Sequence, residues 1–169
     1  MRGMSRLIVL FALVVMVAAG AVGANAASQT PFSGRLSGEV TESFCAPLTI
    51  CLSGTISGTA THMGRAQMTK SATVHITSTP CGVTGLLTTY TEDVTITAAN
   101  GDTVTLTGGG TACAENGAAV GSGELTVTGG TGRFAGASGT ITESIDHNLV
   151  TGFETTELSG MISSPGSTH

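Results

Sequence analysis

The chain of 169 residues has no tryptophan, one tyrosine and five phenylalanines, so aromatic residues make up only 4% of it. A core built around large rings is excluded, and one made of Val, Ile, Leu and Ala, or one left incompletely filled, must take its place. Charge is also scarce, with six Lys and Arg against eleven Asp and Glu. Two of the six, Arg2 and Arg6, stand in an N-terminal leader, so the rest of the chain sets four basic against eleven acidic side chains, a formal charge of −7. A surface so poor in cations argues against nucleic acid or anionic membrane as a partner. Missing too are any helical-length stretch with a 3.6-residue apolar stripe and any G-x-S-x-G nucleophile elbow. His62, His75, His147 and His169 offer no pair spaced as metal ligands on one strand, and nothing in the chain calls for a cofactor or a metal.

Long apolar runs are absent except at the start, where Leu7 to Ala19 follows the two arginines and leads into Ala24-Asn25-Ala26. That is the layout of a secretory signal peptide. The run is short of the ~20 apolar residues a membrane span needs, so no stable anchor is expected to remain after cleavage. Arg2 and Arg6 are not adjacent and no Cys follows the cleavage region, which leaves the general secretory route to the cell envelope or the medium. The expected organisation is a signal peptide over 1–26, a single β domain over 27–163 and a disordered tail over 164–169. All four cysteines, Cys45, Cys51, Cys81 and Cys113, fall in the exported part and are expected to form two disulfides, with three connectivities open. The spacing of Cys45 and Cys51 fits neither a zinc knuckle nor a redox-active pair.

Past the leader, apolar and hydroxyl residues alternate with period 2, the pattern of half-buried strands. In Tyr90 to Ala98, Tyr90, Val94, Ile96 and Ala98 share one face and threonines fill most of the other; β-branched Thr suits a pleated solvent face. The same parity places strands near Gly34–Phe44, Leu52–His62, Met68–Thr77, Leu86–Ala98, Asp102–Gly108, Glu124–Thr128, Phe134–Ser144 and Gly152–Ile162. Turn signals lie between them, among them Ala46-Pro47, Asn100-Gly101, the Gly-rich stretch around Asn116-Gly117, and Asp146-His147-Asn148. Eight sequential antiparallel strands predict a closed up-and-down barrel, which leaves no exposed edge. A Ser-Gly pattern supports closure. It recurs around Gly38, Gly54, Gly139 and Gly160, on strands one, two, seven and eight, which are neighbours only if the last strand pairs with the first. These glycines share inward parity, either to let the sheet coil or to leave room for a ligand.

The segment Gly129-Gly130-Thr131-Gly132-Arg133-Phe134-Ala135-Gly136-Ala137-Ser138-Gly139 contains a formal G-x-G-x-x-A, but strand follows it where a dinucleotide site needs a helix start. The same hairpin resembles one found late in allene oxide cyclase-like and dirigent-like barrels. Thr61-His62-Met63-Gly64-Arg65, at a turn, resembles a feature of small secreted bacterial proteins with this barrel. The resemblance implies an eight-stranded antiparallel barrel whose lumen holds a small apolar or aromatic molecule; it carries no catalytic set onto this chain.

Parity turns Glu42, Glu92, Glu143 and Glu154 inward. Glu42, Glu143 and Glu154 lie at strand ends that share a mouth with the four cysteines, and they are the catalytic candidates. Clustered there, the carboxylates would raise one another's pKa as a general acid requires; as solvated strand ends they would do nothing. Lys70 also has inward parity, with a strand position toward the opposite mouth. Glu92, Tyr90, Gly54 and Gly139 are the expected lumen residues. The reading that follows is an exported barrel that binds a small apolar molecule without catalysis. An isomerase or cyclase of the allene oxide cyclase-like type and a structural or adhesive envelope protein are the alternatives. Export predicts that the mature chain begins at Ala27 or Ser28. Intact-mass measurement of protein recovered from the medium or envelope of an expressing cell checks this, and a retained Met1 contradicts it.

Overall fold

The computed structural model describes residues 28–163; the expected leader and the expected tail lie outside these residues. Eight antiparallel strands are connected in sequence, β1 (Gln29–Ala46), β2 (Thr49–Ala60), β3 (Gly64–Cys81), β4 (Gly85–Ala98), β5 (Thr103–Glu115), β6 (Ala118–Gly130), β7 (Gly139–Asn148) and β8 (Phe153–Ser163). They close into a barrel in the order β1 to β8. The closing ladder runs from Gln29 opposite Ser163 to Glu39 opposite Phe153. Strands one, two, seven and eight are therefore contiguous, as the Ser-Gly pattern requires.

Several boundaries move outward from their sequence positions. Gly109, Gly110, Gly121 and Gly123 read as loop but are paired strand, with Gly110 opposite Gly123 and Ala112 opposite Gly121. The real connection is a two-residue turn, Asn116-Gly117, with φ of 53° and 80°. Positive φ at both positions is the two-residue hairpin turn whose twist matches that of the strands it joins. Phe134, expected to open strand seven, belongs instead to a short 3-10 turn, Gly132–Phe134, and is buried. No helix long enough to hold a pyrophosphate follows the Gly-rich segment.

Residue size divides the barrel along its axis. Toward the mouth formed by the β2–β3, β4–β5 and β6–β7 connections, Leu36, Ile56, Met68, Ile96, Leu125, Ile141 and Ile162 are fully buried, and Phe134 closes the end. An eight-stranded barrel is just wide enough for such side chains to fill it. Toward the other mouth the inward positions of β5 and β6 are Gly110, Ala112, Ala114, Ala119, Gly121 and Gly123, and space remains. Inward Gly54 lies where the sheet coils tightly: a Cβ there would sit 2.8 Å from Val40 Cγ1.

The cysteines pair as Cys45–Cys51 and Cys81–Cys113, both at the wide mouth. The first clamps the β1–β2 hairpin and the second ties β3 to β5 across the start of β4. Their sequence separations, 6 and 32 residues, imply unequal constraint on the unfolded chain, about 2 and about 4 kcal/mol by loop-closure entropy. Replacing Cys81 and Cys113 by Ser is expected to lower Tm more than replacing Cys45 and Cys51. Calorimetric melts of the two double variants test this; equal shifts would contradict it.

Candidate functional site

Midway along the barrel a layer of polar side chains separates its two halves. β3 contributes Lys70, β4 Tyr90 and Glu92, β7 Glu143 and His147, β8 Glu154 and Thr156, and β1 Glu42 at its upper edge. Lys70 is at the centre. Its Nζ is 2.8 Å from Glu154 Oε1, 3.1 Å from Glu92 Oε2 and 3.6 Å from Glu143 Oε1, with every partner fully buried or nearly so. The Lys70 position toward the opposite mouth is thus corrected: β3 begins at Gly64, four residues before the expected start, which puts Lys70 mid-strand.

An ammonium removed from water is costly unless paired and hydrogen-bonded. Burial disfavours the charge on Lys70, but Glu143, Glu92 and Glu154 outweigh it and hold the pKa above that of an ordinary lysine. The carboxyls do not respond alike. Glu143 has no exposed surface. Burial, then a hydrogen bond with Glu92, pushes its pKa up to about 9 against the opposing charge of Lys70, so it holds a proton at neutral pH. For Glu154 burial acts in the same direction but is overcome by His147 and Lys70, which bring it down to about 2. Thr156 Oγ1 also donates to Glu154 Oε1 at 2.9 Å. The mutual raising of carboxylate pKa values expected from the sequence therefore acts on Glu143 and is reversed at Glu154.

Tyr90 crosses from β4 toward β7, and its hydroxyl donates to Glu143 Oε2 at 3.3 Å. The ring has a path because the intervening β6 carries Gly123, where a Cβ would lie 2.5 Å from the Tyr90 hydroxyl. Burial, Glu143 and Glu92 raise the phenol pKa. His147 lies within β7 and is buried, which corrects its placement on a turn. It has the inward parity of Ile141, Glu143 and Ile145, a signal hidden by the turn-like neighbours Asp146 and Asn148. Its Nδ1 is 3.4 Å from Glu154 Oε2 and its Nε2 3.6 Å from Glu42 Oε2, and neither nitrogen has a hydrogen-bond partner.

Above this layer a cavity of about 360 Å³ opens toward the disulfide-bearing mouth. Its walls are mostly apolar, with Ile50, Leu52, Val74, Leu86 and Ile145 facing Ala112, Ala114 and Ala119. Glu42, Lys70, Tyr90, Glu92, His147 and Glu154 border it below. Of the residues singled out in the sequence, Glu42, Glu92, Glu154 and Tyr90 meet at this cavity, and Glu143 lies beneath it. Gly54 sits beside Lys70 in the β2–β3 ladder, and Gly139 lies in the packed half opposite Ile162. Around the mouth Leu48, Val83 and Val150 project from three hairpin tips, exposed by 65%, 93% and 83%. Among the described residues no group of three or more His, Cys, Asp or Glu is arranged to hold a metal ion.

No family model matches the sequence, and no curated protein matches it. Among solved structures the chain is similar to the pterocarpan synthase dirigent protein GePTS1, at 14% identity and a TM-score of 0.43, over 82% of this chain and 89% of that one. The barrel itself rests on its own strand pairing.

The charge layer predicts a pH signature. Glu143 has its pKa raised in the fold, so the stability associated with its proton is complete below the ordinary carboxyl pKa, near 4.5, and is lost as pH rises toward about 9. Glu143→Gln keeps a donor for Glu92 and has no proton to lose. Its Tm is expected to fall less than that of the parent between pH 5 and pH 9. Parallel melting curves across that range would refute the assignment.

Proposed function

We propose that the chain is exported and works as a binding protein, taking a small, mainly apolar molecule into the upper half of the barrel. The observation that carries this reading is the cavity, open at one mouth and walled by aliphatic side chains above a buried polar layer. Pockets of this kind, largely apolar with a few convergent polar groups, are the usual form of small-molecule sites. Two disulfides suit an oxidising compartment. The exposed Leu48, Val83 and Val150 line the way in with apolar surface.

Binding is favoured over isomerase or cyclase chemistry because two of the carboxyl candidates, Glu143 and Glu154, are already engaged. The Glu143 proton is sealed under the layer and shared with Glu92, and Glu154 is held ionised by Lys70, His147 and Thr156. A general acid or base has to reach the substrate proton it transfers.

The test is uptake of the uncharged fluorophore N-phenyl-1-naphthylamine. The parent is expected to bind it with enhanced emission, and Ala114→Trp, which fills the cavity wall, to weaken binding by about tenfold or more, equivalent to about 1.4 kcal/mol. No uptake by the parent, or unchanged affinity in the variant, would refute the reading.

A further inference from the structure

Resting on the binding reading above, we infer that the cavity selects a ligand with an apolar body and a protonated amine head, seated on the polar layer between Glu42, Glu92 and His147. Two observations support the choice of head group.

The first is a shortage of donors among buried acceptors. Glu92 is 4% exposed and borders the cavity; Lys70, 3.1 Å from its Oε2, and the Glu143 proton are its donors, and they use only part of the roughly four lone-pair sites of a carboxylate. His147 is 3% exposed and both of its nitrogens are unpartnered, each facing a carboxylate across 3.4 to 3.6 Å; in the neutral ring one of the two is an acceptor that a ligand donor can meet. Those separations exceed a good N–H···O hydrogen bond. A buried polar atom left without a partner is costly, and a ligand that supplies donors recovers that cost. An ammonium offers three donors and no acceptor.

The second is charge. The groups facing the lower cavity are Glu42 on β1, Lys70 on β3, Tyr90 and Glu92 on β4, His147 on β7 and Glu154 on β8, with Glu143 of β7 beneath them. With Glu143 protonated, three carboxylates remain. Lys70 offsets one, so negative charge is in excess on the layer. A ligand carboxylate would add to that excess, and Lys70 has no spare valence for it because three glutamates surround it. A bare metal ion is not the occupant the site suits, since no three ligands converge and the walls above are aliphatic.

Titration calorimetry of the mature protein at pH 7 with octylamine, 1-octanol and octanoate tests the inference. Octylamine is expected to bind about tenfold or more tighter than either of the others, the size of effect a charge-assisted hydrogen bond supplies. Glu42→Gln, at the partly exposed edge of the layer, is expected to narrow the amine-to-alcohol ratio about fivefold, and Glu92→Gln to narrow it further. Equal affinities for the three compounds, or a ratio unmoved in both variants, would overturn the amine assignment while leaving apolar binding in place. Octanol bound without octylamine would do the same. Failure of all three to bind would overturn the amine assignment and the binding reading together.

Discussion

A single ammonium group, held away from water among three carboxyls, governs the middle of this barrel. Lys70 could not be buried alone, since an isolated charge in an apolar interior is prohibitively unfavourable. Its partners must therefore come inward with it, and they do so from β4, β7 and β8, on the far side of the lumen as well as next to it. The pairing fixes more than charge. Three carboxylates around one cation cannot all ionise cheaply at short range, so the most deeply buried of them, Glu143, keeps its proton and becomes a donor to Glu92. Glu154, which has His147 and Thr156 as well as Lys70, takes the ionised role. Identical side chains acquire opposite protonation states through their neighbours.

The same layer separates two interiors of different composition. Below it the inward residues are Leu, Ile, Met and Phe, which fill the lumen. Above it β5 and β6 present Gly and Ala, and the aliphatic residues of β2, β3 and β4 face empty space across them. Tyr90 depends on that smallness, because its ring reaches Glu143 only over the glycines of β6. Glycine in this barrel thus has two uses. At Gly54 it permits close strand crossing, and at Gly123 it makes room for a side chain from a neighbouring strand.

Strand identity, inward face and closure were all readable from the residues, because period-2 alternation reports which face a side chain takes. The inward parity of Glu92, Glu143 and Glu154 came from the same source. What alternation does not report is height along the axis. In a tilted, staggered barrel the level of a residue depends on where its strand begins and on the shear between strands. A four-residue error at the start of β3 was enough to send Lys70 to the wrong end, and with it went the ion-pair layer. The other omissions share a cause. His147 and the glycine runs of β5 and β6 carry the local chemistry of turns, and pairing across the sheet overrides that chemistry, a long-range effect with no local signature.

The arrangement also bears on why such a layer would persist in a protein with so few charges to place. Replacing a buried ion network by well-packed apolar residues is often neutral or stabilising, so stability alone does not account for Lys70 and its glutamates. An apolar layer at this height would join the packed half to the aliphatic walls above and favour collapse of the cavity or its filling by larger side chains. A charged layer resists both, since its groups hold fixed positions through mutual attraction and cannot be covered by hydrocarbon without cost. It also gives an otherwise featureless aliphatic cavity a defined polar end. On the proposed binding role, an apolar molecule entering past Leu48, Val83 and Val150 would meet walls that distinguish little beyond size, and its orientation would have to come from what lies at the bottom. On that argument the polar layer would set which end of a ligand goes in first, while the walls would supply most of the affinity through buried apolar area.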